Sequence, residues 1–283
     1  GTAVLSKCPA DFAGELTVPA VVQNGSYTYR VTEIGASAFS GCAGLTKLTL
    51  PEGITTLGNY ALQNCTKLTS VELPGTVTTL GNYVLRGNVA LTEVKLPAGA
   101  TTLGTNIFNG CEALTNVTLP EGLTSLPTYM FYNCHALTEI KLPSTLTEID
   151  SYAFAATSLK EIVLPEGLVN LGGKESGGRV FQNCYALEKV TLPTTLKIIR
   201  KDAFYNCESL EEIHFPEGLE YLGEAALSGC SRLTEVTIPN SITEIKNSLF
   251  ALCTSLKSVT MSDEITEIGM TAFSRCESLE TLK

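Results

Sequence analysis

Along this chain apolar and polar residues alternate in short bursts that return at a fixed interval. LTKLTLP (45–51), LTEVKLP (91–97), LTEIKLP (137–143) and LTEVTIP (233–239) share the form Leu-x-x-[Val/Ile/Leu]-x-[Leu/Ile]-Pro. Alternation at period 2 predicts a short strand with one buried face. Proline then ends the strand, because it has no N–H to give to a ladder. Aligned on that proline, the copies stand at Pro51, Pro74, Pro97, Pro120 and Pro143 in steps of 23, at Pro165 after 22, at Pro193 after 28, and at Pro216, Pro239 and Ser262 in steps of 23 again. A period of this length predicts stacked turns, each burying its apolar face against the next, with the strands joined into a parallel sheet.

After the proline comes a second apolar pair and a glycine, as in ITTLG (54–58), VTTLG (77–81), LEYLG (219–223) and ITEIG (265–269). A piece such as AFSGC (38–42), MFYNC (130–134), AFYNC (203–207) or AFSRC (272–276) completes the repeat. This half is too short for a stable α-helix and is expected to run extended and then into a 3₁₀ turn, with the glycine easing a tight corner. Allowing for an insertion after Pro165, one large apolar residue stands eleven positions after each proline: Leu62, Leu85, Phe108, Phe131, Phe154, Phe181, Phe204, Leu227 and Phe250, with Phe273 after Ser262. They predict a buried spine in which each member contributes about 1.5–3 kcal/mol.

The 23-residue spacing with its LxxVxLP, IxxIG and AFxxC motifs resembles the BspA-like leucine-rich repeats of bacterial surface and secreted proteins, over roughly residues 10–283. The resemblance implies a leucine-rich-repeat solenoid, a curved right-handed stack with a parallel β-sheet on the concave face and extended or 3₁₀ segments opposite. It also implies an exported protein that works in adhesion or binding and not in catalysis. Residues 1–41 are read as an N-terminal cap with an irregular first repeat, and residues 42–283 as about ten further repeats of the same single domain.

The departures from the repeat are informative. From Pro19 to Cys42 is 23 residues where Pro51 to Cys65 is 14, so nine residues are inserted near the N-terminus. Asn24-Gly25 lies there between Val21-Val22 and the alternating run Tyr27 to Val31, which predicts a two-residue hairpin turn. This β-hairpin is expected to cover the open end of the stack. One residue is missing after Phe154, and five extra residues fall around Lys174 to Gly178. At the other end LETLK (279–283) carries no polar cap, and an uncovered edge of that kind invites another chain. Either the natural chain continues or this end self-associates.

Composition narrows the function. The chain is 44% hydrophobic and 17% charged, enough for an ample core, and has no apolar run near the length of a membrane span. A net charge of -10 disfavours nucleic acid and anionic membranes as partners, since phosphate binding needs clustered Lys and Arg. The sequence opens at Gly1 and not at Met, which is read as an export signal already removed. An extracellular or cell-surface location is the expectation.

Little in the sequence supports chemistry. Cys42, Cys65, Cys111, Cys134, Cys184, Cys207, Cys230, Cys253 and Cys276 all stand three residues after the large apolar position, with Asn88 and Ala156-Thr157 replacing the cysteine in two turns. That spacing belongs to the repeat, and with no CxxC it speaks against zinc. They are read as buried free thiols acting as small apolar groups, and Cys8 as a structural part of the cap. His135 beside Cys134 is a loop neighbour and not a Cys–His pair. GGKESGGR (172–179) lacks the Gly-Lys-Ser/Thr ending of a phosphate loop. No cofactor and no metal are expected.

Binding is the better expectation, to a protein or glycan on host or neighbouring cells. Outward strand positions form two columns, of which Glu93, Lys95, Glu139, Lys141, Glu212, His214 and Glu235 are candidate contacts. Tyr60, Tyr83, Tyr129 and Tyr152 each follow a proline by nine residues, a stripe that Asn106 interrupts. Lys174 and Glu175 lie in the insertion, and loops carry function more often than scaffold does. The competing expectation is a structural or self-assembling spacer.

Overall fold

The computed structural model describes residues 2–5, 8, 12–173 and 177–283. It divides into two compact units, Gly1–Leu123 with Tyr129–Leu137, and Thr124–Thr128 with Thr138–Lys283. Each unit is a length of solenoid whose repeats are built from the proline-ended motif, a strand in most of them but not over 137–143 or 210–216, a two-residue strand after the proline, and a turn-rich third side.

In the first unit the strands are β1 (Thr2–Leu5), β2 (Ala13–Thr17), β3 (Val21–Asn24), β4 (Tyr27–Ile34), β5 (Gly44–Thr49), β6 (Thr56–Leu57), β7 (Ser70–Glu72), β8 (Thr79–Leu80), β9 (Glu93–Lys95), β10 (Thr102–Leu103) and β11 (Asn116–Thr118). One parallel ladder runs β2–β5–β7, with β9 and β11 paired further along; a second runs β1–β4–β6–β8–β10. Register follows the repeat: Lys47 faces Ser70 and Leu57 faces Leu80, each 23 residues on. The alternation works as anticipated, with Val71, Val94 and Val117 buried between outward residues.

The second unit repeats the plan with β12 (Ser125–Leu126), β13 (Glu148–Ile149), β14 (Glu161–Val163), β15 (Asn170–Leu171), β16 (Lys189–Thr191), β17 (Ile198–Ile199), β18 (Tyr221–Leu222), β19 (Glu235–Thr237), β20 (Glu244–Ile245), β21 (Ser258–Thr260), β22 (Glu267–Ile268) and β23 (Thr281–Leu282). All pairings among them are parallel, as in β12–β13–β15–β17–β18 and β19–β21–β23. Lys174 and Glu175, with Ser176, fall outside the described residues. The flanks of that insertion are anchored: Gly178 N–H donates to Ser151 Oγ at 3.1 Å and Arg200 Nε donates to the Gly173 carbonyl at 3.2 Å.

The spine is buried in both units except at Phe273, which is half-buried in the last turn. Phe39, Leu62, Leu85, Phe108 and Phe131 are at most 1% exposed in the first, and Phe154, Phe181, Phe204, Leu227 and Phe250 are fully buried in the second. Rings stack from turn to turn, with centroids 5.4 Å apart for Phe108 and Phe131 and for Phe181 and Phe204. That separation lies within the range favoured by offset aromatic stacking.

The structure refines four sequence expectations. First, the hairpin β3–β4 exists, but its two-residue loop is Gly25-Ser26, one residue later than expected, because Gly25 takes the positive φ of the first central position. Second, the open edges of the two ladders are covered by β1 and β2, which pair with β4 and β5; the hairpin only extends one of them. Third, the expected 3₁₀ segment is a run of separate turns. Ala61 N–H bonds the Gly58 carbonyl and Gln63 N–H bonds that of Tyr60, while the intervening N–H groups of Tyr60, Leu62 and Asn64 reach the next repeat. Two left-handed residues per repeat, such as Tyr60 at φ 59° and Asn64 at φ 56°, stop a 3₁₀ helix from propagating. Fourth, Gly58 is required by closeness and not by conformation: a Cβ there would stand 2.7 Å from the backbone nitrogen of Ala36 in the preceding turn.

Candidate functional site

The cysteine column is structural, for reasons visible in its hydrogen bonds. Cys65 Sγ donates to the Phe39 carbonyl at 3.1 Å, Cys134 to that of Phe108 at 3.2 Å and Cys207 to that of Phe181 at 3.2 Å. Each thiol therefore closes a turn of the neighbouring repeat, so it is a polar clip as well as a small apolar filler. Burial pushes Cys65 and Cys111 up to about 12, far from a reactive thiolate. One expectation is corrected here: Cys42 is not a free thiol but is disulfide-bonded to Cys8. The extra N-terminal strand β1 brings Cys8 to the first turn, where its N–H also bonds the Ala38 carbonyl. Cys65, Cys111, Cys134, Cys184, Cys207, Cys230 and Cys253 are free and buried, whereas Cys276, in the last turn, is free and half-buried.

In the two turns without cysteine the same place is filled by other polar groups. Asn88 is fully buried and accepts the Cys65 N–H on Oδ1 at 2.8 Å, but its Nδ2 has no partner. Thr157 donates to the Phe154 carbonyl at 2.9 Å. His135 is exposed while Cys134 is buried against the core, so the two do not form a pair. Among the described residues no group of three His, Cys, Asp or Glu side chains is placed to hold a metal ion.

Outward strand positions of the second unit converge on a groove of about 750 Å³. Its walls carry Glu161, Glu188, Glu211, Glu212 and Glu235 against Lys160 and Lys189, with His214, Thr237 and Thr260 beyond. β14 and β16 hold Glu161 and Lys189 in register, and a bridge between Lys189 and Glu212 extends that ladder by one turn, while Glu235 stands on β19, which pairs with β21. Buried Ile162, Val190, Ile213 and Val236 turn their neighbours outward. His214 Nε2 lies 3.5 Å from Glu212 Oε2, both well exposed, and Arg232 lies 3.6 Å from Glu211. Glu211 N–H meets the Glu188 carbonyl, so these two glutamates stand one above the other on adjacent turns. Like charges in that relation repel.

Of the sequence candidates, Glu212, His214 and Glu235 are thus brought together. Glu139 and Lys141 are exposed but lie outside any strand and do not line the groove. Glu93 and Lys95 are exposed on β9 of the first unit, facing Asn116 and Thr118. Lys160, Glu188 and Glu211 were missed, because they precede the two outward columns. A signal was available: that repeat position is Thr46, Thr69, Thr92, Thr115 and Thr138 early in the chain and turns charged at Lys160, Glu188 and Glu211.

The tyrosine stripe coincides with a left-handed backbone column. Tyr60, Tyr83, Tyr129 and Tyr152 all have φ between 57° and 60°. Tyr60 and Tyr83 stack at 4.9 Å with rings 8° from parallel, and Tyr129 meets Tyr132 edge to face at 5.4 Å. In the second unit Tyr152 lies under the Arg179 guanidinium at 5.4 Å, and Arg179 pairs with Asp202 at 3.1 Å. Arg179 and Asp202 occupy the same left-handed column, so there the stripe is an internal network.

The sequence matches the profile described as BspA type leucine rich repeat region in six copies, over residues 22–98, 80–176 and 174–283. Among solved structures, a leucine rich cell surface protein from Faecalibacterium prausnitzii A2-165 is similar over 100% of this chain and 90% of its own, at 27% identity and a TM-score of 0.58. A leucine-rich repeat protein from Bacteroides ovatus ATCC 8483 is similar over 95% of this chain and 86% of its own, at 25% identity and a TM-score of 0.50. The pneumococcal vaccine antigen PcpA shares the fold at 20% identity, with a TM-score of 0.52 over 92% of this chain and 82% of its own. No curated protein matches the chain. With that profile spanning residues 22–283 on a solenoid of in-register parallel strands, the protein belongs to the BspA-type leucine-rich-repeat family.

Proposed function

We propose that the chain is an exported, surface-displayed binding module, and that the groove of the second unit takes a basic segment of a protein partner. The observation that carries the reading is the stacking of Glu188 and Glu211 on adjacent turns at the groove, within a wall of five glutamates and two lysines. Repulsion between such neighbours is relieved when a cationic side chain enters between them. Export is supported by the Cys8–Cys42 disulfide, since such bonds persist in oxidising compartments. It is further supported by the F. prausnitzii relative, whose own description is a cell surface protein.

The test is capture of extracellular proteins by the folded chain and by a Glu188→Gln, Glu211→Gln double variant. A partner should bind the wild type, lose about 5–10-fold in affinity with the variant, and weaken as salt rises from about 50 to 300 mM. A partner whose binding ignores both the variant and salt would sink the groove assignment.

A further inference from the structure

Asn-Gly occurs twice in the chain, at Asn24-Gly25 and at Asn109-Gly110. The dipeptide is chemically labile, because glycine has no Cβ to hinder attack of its own amide nitrogen on the asparagine side chain before it. The structure treats the two copies differently. At Asn109 the groups that the reaction needs are held: the Gly110 N–H donates to the Tyr132 carbonyl at 2.8 Å, Asn109 Nδ2 donates to Asn106 Oδ1 at 2.8 Å, and the Asn109 carbonyl accepts the Gly87 N–H at 2.8 Å. Asn109 is also half-buried. At the tip of the cap hairpin these restraints are missing. Asn24 and Gly25 are exposed, and Gly25 takes φ 61° with open space where a Cβ would stand. Among the described residues no carbonyl accepts the Gly25 N–H and no group bonds the Asn24 side chain. The local backbone is fixed by the pairing of Asn24 with Tyr27, the last pair of the hairpin.

We propose that Asn24 is a self-modification site whose amide converts spontaneously to isoaspartate and so unfastens the cap hairpin, while Asn109 keeps its amide. When the end pair Asn24–Tyr27 frays, which costs little at a solvent-exposed tip, Asn24 turns about its Cα–C bond and brings Cγ to the Gly25 nitrogen. That nitrogen gives its proton to hydroxide and bonds to Cγ. The Cγ–Nδ2 bond breaks, and ammonia leaves with a proton taken back from water, which regenerates the hydroxide. Water then opens the succinimide ring. Opening at the main-chain carbonyl leaves the chain running through Cβ and Cγ, which is isoaspartate; opening at Cγ leaves aspartate. Isoaspartate adds a methylene group to the main chain between Gln23 and Gly25, so the pairs Asn24–Tyr27, Gln23–Thr28 and Val22–Tyr29 cannot all keep register around a two-residue turn. Among the described residues β3 pairs with no strand other than β4, so its place in the sheet rests on that register. The site is separate from the groove of the second unit and does not depend on that reading.

The folded chain is held for days at neutral and at mildly alkaline pH, and peptide mapping by mass spectrometry with isoaspartyl methyltransferase labelling follows each site. Asn24 should convert at least about 10-fold faster than Asn109, and faster at the higher pH. In urea, where the fold no longer distinguishes them, the two rates should lie within about 3-fold of each other. Asn24→Gln, whose longer side chain would have to close a six-membered ring, should leave position 24 unmodified. Isoaspartate-bearing chains are separated by anion exchange on their added charge. Their amide hydrogens in β3 and over 27–30 should exchange at least about 10-fold faster than in the fresh chain, with β16 unchanged. The proposal is overturned if Asn24 stays an amide in the folded chain, or if Asn24 and Asn109 convert there at equal rates. A rate difference that persists in urea, or hairpin exchange that is unchanged after conversion, would overturn it as well.

Discussion

The buried thiol column makes the fold sensitive to alkali in a way that can be worked out from the structure. An ordinary thiol titrates near 9.0, whereas burial pushes Cys65, Cys111 and Cys253 up to about 12 and Cys184 up to about 11. Cys134, Cys207 and Cys230 are raised too, again by burial first. Below pH 9 both the folded and the unfolded chain hold the proton, and the contribution to stability is fully present. Between pH 9 and about 12 only the unfolded chain releases it, so stability falls as pH rises, and the loss is complete once the folded thiols ionise. At pH 10 the loss is about 1.4 kcal/mol per thiol. Over Cys65, Cys111, Cys184 and Cys253 it reaches roughly 6 kcal/mol, comparable with the whole stability of a typical domain. Urea unfolding followed by far-UV circular dichroism at about pH 7.5, 8.5 and 9.5, without reductant, measures the slope. Cys111→Ala should remove one thiol's share of it, which separates this effect from tyrosine and lysine titration. Stability that stays level from pH 8 to 10, or a slope unchanged in Cys111→Ala, would refute the reasoning.

Other outcomes follow from individual sites. Phe204→Ala, at a fully buried position stacked on Phe181, should cost about 3–5 kcal/mol in urea unfolding; a loss under about 1 kcal/mol would show that the spine collapses around the gap. Asn88→Cys removes a buried Nδ2 that lacks a partner but also the Oδ1 that accepts the Cys65 N–H, and should raise stability by no more than about 1 kcal/mol. A lower unfolding midpoint would show that the amide is better served than the geometry implies. Leu252→Asn, at φ 64° in a column otherwise rich in Gly and Asn, should stabilise by about 1 kcal/mol, read from the same midpoint.

The two left-handed columns show where the sequence was legible and where it was not. One runs through Gly41, Asn64, Gly87, Gly110, Asn133, Asn183, Asn206 and Gly229, residue types that tolerate positive φ, so most of the column can be read from identity, though Ala156, Leu252 and Arg275 also stand in it. The other runs through Ser37, Tyr60, Tyr83, Asn106, Tyr129, Tyr152, Arg179 and Asp202 and contains no glycine. Nothing in those side chains announces the conformation. It is imposed by bonds to the next repeat, such as Tyr60 N–H to the Asn82 carbonyl at 2.8 Å. The Cys8–Cys42 bond was hidden for a similar reason, because the pairing of β1 with β4 leaves no mark in the repeat.

The candidate site divides the same way. Its glutamates and lysines, and the switch from threonine to charge at Lys160, Glu188 and Glu211, stand in the sequence. Their grouping does not, since equivalent positions Glu139 and Lys141 lie outside any strand and do not line the groove. The tyrosines were visible as a stripe, but stacking paired Tyr60 with Tyr83 and tied Tyr152 to Arg179, which gives the same residue type opposite uses in the two units.

By itself the sequence determined the repeat, its period, the inward face of each strand and the aromatic spine. Those follow from apolar periodicity, and burial of apolar surface is indifferent to detail so long as the period holds. Tertiary structure decided which turns carry left-handed residues, why Gly58 has no room for a Cβ, how the thiols clip one turn to the next, and which charges share a groove. These depend on directional bonds and distances of a few ångströms between residues 22 to 26 apart in the chain, and no local pattern encodes such geometry.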